Sequence, residues 1–209
     1  MSVFRQLSSE ERTFLANLVG PEHVLTSEDD LEKLSKDYYH FSPILKEVFE
    51  DKRASAAVRV STVEVLTEVI AWCTDRTIPF VIRGGGTGNY GQCVPLLGGV
   101  VVDITGMNRI VSIGNGEATV EAGVRIETLE KAARLQGLEM RCKPSTWVKS
   151  TVAGFICGGS GGIGSVTYGG TGYGGMVKAL KILTIEPEPR LLTFSEGECL
   201  TAINTFGTT

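Results

Sequence analysis

The residues of this chain best equipped for chemistry are Arg83-Gly84-Gly85-Gly86-Thr87-Gly88-Asn89-Tyr90-Gly91, set between the apolar runs Pro79-Phe80-Val81-Ile82 and Val100-Val101-Val102-Asp103. A strand that runs into so many glycines prepares a close approach. Without Cβ atoms the backbone can take positive φ and press its N–H groups against a bulky, electron-rich group, and a nucleotide phosphate is the usual one. The loop reads as an anion cradle. Gly86 to Gly91 match G-x-G-x-x-G literally, but that fingerprint needs a helix opening at its third glycine. Pro95 and Gly98-Gly99 intervene before the next strand and leave no room for one. The same pattern recurs at 159–164 and 170–175, so in a chain with 26 glycines it discriminates little. No Walker loop occurs, and any phosphate is held by a loop between two strands.

A second glycine cluster gives the first its meaning. From Gly154 to Gly175, 11 of 22 residues are glycine, preceded by Pro144-Ser145-Thr146 and Thr151-Val152-Ala153. Flexible linkers are polar and serine-rich. This stretch instead carries Phe155, Ile156, Cys157, Ile163, Val166, Tyr168 and Tyr173, and leads into an apolar strand spanning Met176 to Ile185. It is ordered backbone closely approached by something.

The elements that must position these loops can be traced along the chain. Residues 2–50 read as two short helices with connections, and Leu31, Leu34, Tyr38 and Phe41 form a loose helical stripe. Ala57–Val60 is a strand. Ser61-Thr62-Val63-Glu64 has the capping-box pattern and opens a helix to about Asp75, with Leu66, Val69, Ile70 and Cys73 on one face. Strand, helix, strand and glycine loop make a crossover unit with the cradle beyond the carboxyl end of its strand. Strands follow at 100–104, 110–113 and 118–122, then a helix from about Ile126 to Gln136 closed by Gly137. A smaller subdomain (about 20–95) thus precedes a larger one (about 96–209).

Bulk properties narrow the function. Twenty Lys and Arg against 24 Asp and Glu, with no basic stripe, argue against nucleic acid as a partner. No run of 18 apolar residues spans a membrane and the N-terminus lacks a signal peptide's apolar core, so a cytoplasmic location is expected. Five cysteines without C-x-x-C spacing, beside two histidines, suggest neither a disulfide framework nor a zinc site.

Arg-Gly-Gly-Gly-Thr-Gly (83–88), Val-Asp-Ile-Thr-Gly-Met-Asn-Arg-Ile (102–110), Val-Glu-Ala-Gly-Val (120–124), Pro-Ser-Thr (144–146), Thr-Val-Ala-Gly (151–154), Gly-Gly (161, 162) and Tyr-Gly (168, 169) follow one another in a familiar order. In that order and spacing the chain resembles the FAD-linked oxidases of the vanillyl-alcohol oxidase type, and within them the glycolate oxidase and D-lactate dehydrogenase branch. The resemblance runs from about Gly20 to the C-terminus.

It implies an α+β fold of two subdomains, a small βαβ unit and a larger mixed or antiparallel sheet with flanking helices, with FAD between them. Gly84, Gly85, Gly86, Thr87, Gly88 and Asn89 would meet the pyrophosphate. Arg83 would either support that charge or hold the turn. Ser145, Thr146, Thr151, Gly154, Gly158, Gly159, Ser160, Gly161 and Gly162 would line the rest of the cofactor, unless the hydroxyls cap their own backbone. A valine at Gly86 is expected to abolish flavin binding with the fold largely intact.

Relatives that tether the flavin carry His at position 87 or Cys at 149; here Thr87 and Lys149 stand there, so the FAD is expected to be noncovalent. Relatives also show Asn at positions 155 and 159, where this chain has Phe and Gly. The substrate or cap domain that follows in the family is absent from these 209 residues, and Phe206–Thr209 resemble the start of the motif that precedes it. Since a flavin carries the hydride chemistry, the expected function is the FAD-binding part of an oxidoreductase acting on a 2-hydroxy acid such as glycolate or D-lactate. Catalysis would be completed by a C-terminal domain or a partner subunit, with a partner subunit or an electron-transfer protein as the expected protein partner, and no catalytic residue is assigned here. The alternative is a flavin-binding module with no substrate of its own.

Overall fold

Val100–Asp103 (β4) has all four residues buried because strands flank it on both sides. The computed structural model describes residues 4–172 and 175–205; Tyr173 and Gly174 of the second glycine cluster and the 206–209 motif lie outside the described residues. The chain divides into two compact units, residues 1–106 with 185–189, and residues 107–184 with 190–209.

In the first unit, α1 (Ser9–Val19) is closed at its start by a capping box between Ser8 and Glu11. It leads to β1 (Val24–Leu25), α2 (Glu28–Leu34), a 3₁₀ turn at Tyr38–Phe41 and α3 (Pro43–Phe49). The N-terminal segment therefore holds three α-helices rather than two. The stripe Leu31, Leu34, Tyr38, Phe41 is broken after Leu34: the two leucines pack against Ala54, Ala57 and Val101, while Phe41 is exposed. Asp37, which caps the 3₁₀ turn through its side chain, interrupts the helical period.

Next come β2 (Ala56–Arg59), α4 (Val63–Asp75), β3 (Phe80–Arg83) and then β4. The strand order is β1-β2-β4-β3, with β1 antiparallel to β2 and both β2 and β3 parallel to β4, Val58 and Ile82 each in register with Val102. The long apolar reading of these strands matches a parallel sheet covered on its faces. Helix α4 is capped by Thr62, whose hydroxyl accepts from the Val65 N–H; the cap thus lies one residue beyond the start of the Ser61–Glu64 pattern. It buries Val69, Ile70, Trp72 and Cys73, and Trp72 stacks on Phe14 of α1 with ring centres 5.3 Å apart. As the spacing of Pro95 and Gly98 requires, no helix separates β3 from β4.

The second unit opens with a hairpin of β5 (Ile110–Gly114) and β6 (Glu117–Val120), turned by Asn115 and Gly116 at φ 53° and 76°. An Asn-Gly pair with two positive φ values is the turn that matches strand twist. Helix α5 (Ile126–Arg134) follows, ending two residues short of Gln136, with Gly137 at φ 71° reversing the chain. Then come α6 (Val152–Cys157), the single turn α7 (Ser165–Tyr168) and an antiparallel pair, β7 (Ala179–Leu183) with β8 (Leu191–Ser195). Ile126, Cys142 and Phe155 form a core joined by Met140, Trp147, Val152 and Met176.

Candidate functional site

Strand β3 delivers Arg83 into the interior, so the chain leaves the sheet over its own side chain. Arg83 is buried; its Nη1 lies 3.8 Å from Cys93 Sγ and its Nη2 donates to the Lys33 carbonyl at 3.4 Å. Burial pushes the Cys93 thiol up to about 11, so at neutral pH it meets Arg83 as a neutral group. The guanidinium lies against Gly86, and a β-carbon there would fall inside it. Gly86 is also at φ 62°. A valine at Gly86 would therefore displace a buried arginine as well as fill the cradle, contrary to the expectation of an intact fold.

On the other side, the Tyr38 N–H donates to the Gly88 carbonyl at 2.7 Å. Asp37, only 2% exposed, accepts from the Tyr39 N–H at 2.8 Å through Oδ1. Burial raises the Asp37 carboxyl above its ordinary value, against the pull of the Tyr39, Gly91 and Gln92 N–H groups and the Arg83 charge. Its Oδ2 and Arg83 Nε are buried without a hydrogen-bond partner among the described residues. Gln92 and Asp37 crowd the place of a Gly88 β-carbon. The loop is thus pinned from beneath by Arg83 and from one side by residues 37–38.

What the loop presents is its backbone. Among the described residues, the N–H groups of Gly84, Gly85, Gly86, Gly88 and Asn89 meet no acceptor, while Thr87 is already engaged. Gly84 to Gly88 are half-buried and Asn89 is exposed. A run of unspent N–H groups, one of them on a residue with positive φ, is a donor set for phosphate oxygens. The chemistry of this donor set suits an anionic group such as a pyrophosphate, with the Asp37 carboxylate buried beside Gly88. Sequence reasoning found this loop but missed Asp37, since an isolated acid before two tyrosines carries no signal of a loop fifty residues away.

The second glycine region, in the other unit, is built differently. Thr151 is buried and caps α6, its hydroxyl accepting from the Gly154 N–H at 3.3 Å. Thr146 Oγ1 bonds Ser150 Oγ at 2.8 Å, and Ser145 is exposed. The Gly158 and Gly159 N–H groups go to Gly154 and Ile156 carbonyls, and Gly162 exchanges bonds with Ser165. Among the nominated residues 158–162, the N–H groups left unspent within the described residues are those of Ser160 and Gly161. Here glycine answers crowding: a β-carbon on Gly162 would strike the Lys143 carbonyl, one on Gly164 the Arg141 carbonyl, and one on Gly159 the Asn204 carboxamide.

The segment that presses on Gly162 is itself anchored. Lys143 pairs with Ile163 in an antiparallel bridge, and its Nζ meets Glu130 Oε1 at 2.6 Å. Glu130, 2% exposed on α5, also accepts from Arg134 at 2.8 Å and from the Met140 N–H at 2.9 Å. Burial alone would raise its carboxyl, but Lys143, Met140 and Arg134 together hold it below the ordinary value. Among the described residues no group of His, Cys, Asp and Glu is arranged to hold a metal ion.

A small, mostly parallel sheet with a glycine loop at its carboxyl edge, followed by antiparallel hairpins and short helices, defines an α+β FAD-binding fold of the vanillyl-alcohol oxidase type. A solved structure of alkyldihydroxyacetonephosphate synthase shares it with TM-score 0.78 over 98% of this chain and 42% of that one, at 17% identity, a likeness of fold. The chain belongs to the FAD binding domain family, whose model matches residues 54–193. It is similar to the D-lactate dehydrogenase of Archaeoglobus fulgidus, 33% identical over 54% of this chain and 25% of that protein. It is likewise similar to the glycolate oxidase subunit GlcD of Bacillus subtilis, 32% identical over 56% of this chain and 25% of that protein. The chain spans about a quarter to a third of the curated relatives it matches. Among the described residues no helix is long and apolar enough to cross a membrane.

Proposed function

We propose that this chain holds FAD noncovalently within an oxidoreductase that converts a 2-hydroxy acid of the glycolate or D-lactate type to the 2-oxo acid. The observation that carries the reading is the set of N–H groups of Gly84, Gly85, Gly86, Gly88 and Asn89, unspent among the described residues, above the buried Arg83. Each N–H bonded to a charged phosphate oxygen is worth about 1.5–3 kcal/mol, so a few of them offset the desolvation of the pyrophosphate. In this reading Arg83 holds the turn. Ser145, Thr146, Thr151, Gly154 and Gly158–Gly162 shape the second contact, which falls on the Ser145 hydroxyl and the Ser160 and Gly161 N–H groups. Thr87 and Lys149 offer neither the imidazole nor the thiol of tethered relatives.

When bound, FAD would supply the two-electron acceptor for oxidation of the hydroxyl-bearing carbon, and this chain's residues would hold and orient it. The names of the D-lactate dehydrogenase and glycolate oxidase relatives support the substrate class. The substrate-facing groups come from outside these 209 residues, in the same protein or a partner subunit.

The test begins with the visible spectrum of the purified chain after FAD loading and desalting. Flavin bands that persist and are released by denaturant are expected; a colourless protein sinks the cofactor reading. Anaerobic addition of D-lactate, glycolate or D-2-hydroxyglutarate to the protein joined to its substrate-facing part should then bleach the visible bands of the oxidised flavin. No bleaching by any of the three overturns the substrate class.

A further inference from the structure

We infer that Asn204 is a further FAD-binding residue, its carboxamide joining the Ser160 and Gly161 N–H groups as the donor set of the second glycine region. The inference rests on the FAD reading above. Asn204 lies far along the chain from that region, yet its carboxamide rests directly on the Cα of Gly159, where a β-carbon would overlap Oδ1 and Cγ. Both backbones are in the left-handed region, Gly159 at φ 57° and Asn204 at φ 69°. Gly tolerates this freely and Asn is among the few other residues that do.

The residue is held there by its neighbours. Ala202 and Ile203 are buried, Thr205 Oγ1 donates to the Ala202 carbonyl at 2.9 Å, and Ile203 Cγ2 stands 3.6 Å from the place of a Gly172 β-carbon. Yet Asn204 itself is exposed, and its amide makes no hydrogen bond among the described residues. A side chain fixed by flanking anchors and unspent in its polar end is available to a ligand. Ser160 and Gly161, with their unspent N–H groups, follow Gly159 directly. All three groups are able to donate, which suits an acceptor oxygen of FAD, on the pyrophosphate or on the flavin ring.

The same geometry supplies the test. Replacing Asn204 by Gly removes the amide at a backbone conformation glycine accepts. Replacing Gly159 by Asn at the same time returns an amide to the same volume from the opposite side. FAD is titrated into the purified chain and its variants by flavin fluorescence, and the FAD-free proteins are melted by circular dichroism. N204G should bind FAD about tenfold more weakly with an unchanged melting temperature. N204G/G159N should recover affinity to within about threefold.

If wild type binds FAD and N204G binds equally well, the assignment of Asn204 is wrong and the cofactor reading stands. If N204G is weak and the double variant is no better, Asn204 serves packing and the inference falls. A wild-type chain that binds no FAD ends both. Riboflavin as a second titrant separates the two acceptors: a loss confined to FAD points to the pyrophosphate, and a loss shared with riboflavin to the ring.

Discussion

Two glycine-rich regions of one chain use the same residue for opposite ends. At 84–89 the N–H groups of Gly84, Gly85, Gly86, Gly88 and Asn89 are left unspent among the described residues, with a buried arginine and residues 37–38 fixing the loop. At 154–164 most N–H groups are consumed internally, and glycine is required because carbonyls of Lys143 and Arg141 press on the backbone. The first region needs the absence of Cβ at Gly86 and Gly88 to seat the loop against Arg83 and Gln92, and in the proposed function the N–H groups it leaves unspent meet the ligand. The second needs it to let the protein itself close. Counting glycines cannot tell these apart; accounting for each N–H can.

The comparison is broken or sharpened by substitutions that read stability and flavin binding separately. The largest effect should come from Gly162→Ala, whose β-carbon meets the Lys143 carbonyl and comes within 2.9 Å of the Pro144 Cα. Backbone cannot swing aside, so a loss of about 3 kcal/mol is expected in chemical denaturation. A wild-type midpoint would show that this region is not packed as described. Gly86→Ala comes next: a left-handed L-residue costs about 1–2 kcal/mol, and the buried Arg83 guanidinium must shift as well. Lowered stability with loss of FAD from the desalted protein is expected, and retention of full flavin absorbance would remove the cradle from the site.

Acid should act on the second unit through Glu130. Its carboxyl sits below 4.5 in the folded chain, so the stability it contributes is complete above that value and is lost as pH falls through the folded one. Denaturation midpoints of wild type should drop on acidification below about 4.5 more steeply than those of Glu130→Gln. Parallel curves would detach Glu130 from the anchoring of Lys143. The smallest stability change is expected for Gly88→Ala, which has ordinary φ and whose nearest obstacle is the end of the flexible Gln92 side chain. A shift within about 0.5 kcal/mol is expected by thermal melting, with weaker FAD retention because the methyl displaces Gln92 Oε1, which accepts from the Tyr90 N–H at the end of the loop. Unchanged retention would mean that the ligand approaches elsewhere along the loop.

Much of the fold was legible because its signals are local. The apolar runs read at 57–60, 79–82 and 100–103, the helix start at Ser61–Glu64 and the glycine-rich loop without a following helix are all written in consecutive residues. What stayed hidden is non-local. Nothing near Arg83 says whether its side chain turns toward a ligand or back under Gly86, because that depends on room left by Lys33 and Cys93. Nothing near Gly159 foretells Asn204, and the break after Leu34 follows from Asp37 capping a 3₁₀ turn. The family motifs marked both glycine regions as cofactor contacts, but motifs record which residues recur and not which N–H groups are free.

The sheet order carries a consequence for how the molecule is made. Strands β2 and β3 do not pair with each other; each is bonded to β4, which is translated after both. Until residue 103 has left the ribosome the two earlier strands have no common partner, and the donor loop is synthesised before the strand that fixes its far end. This half of the protein should therefore gain protease resistance in one step as β4 emerges, not strand by strand.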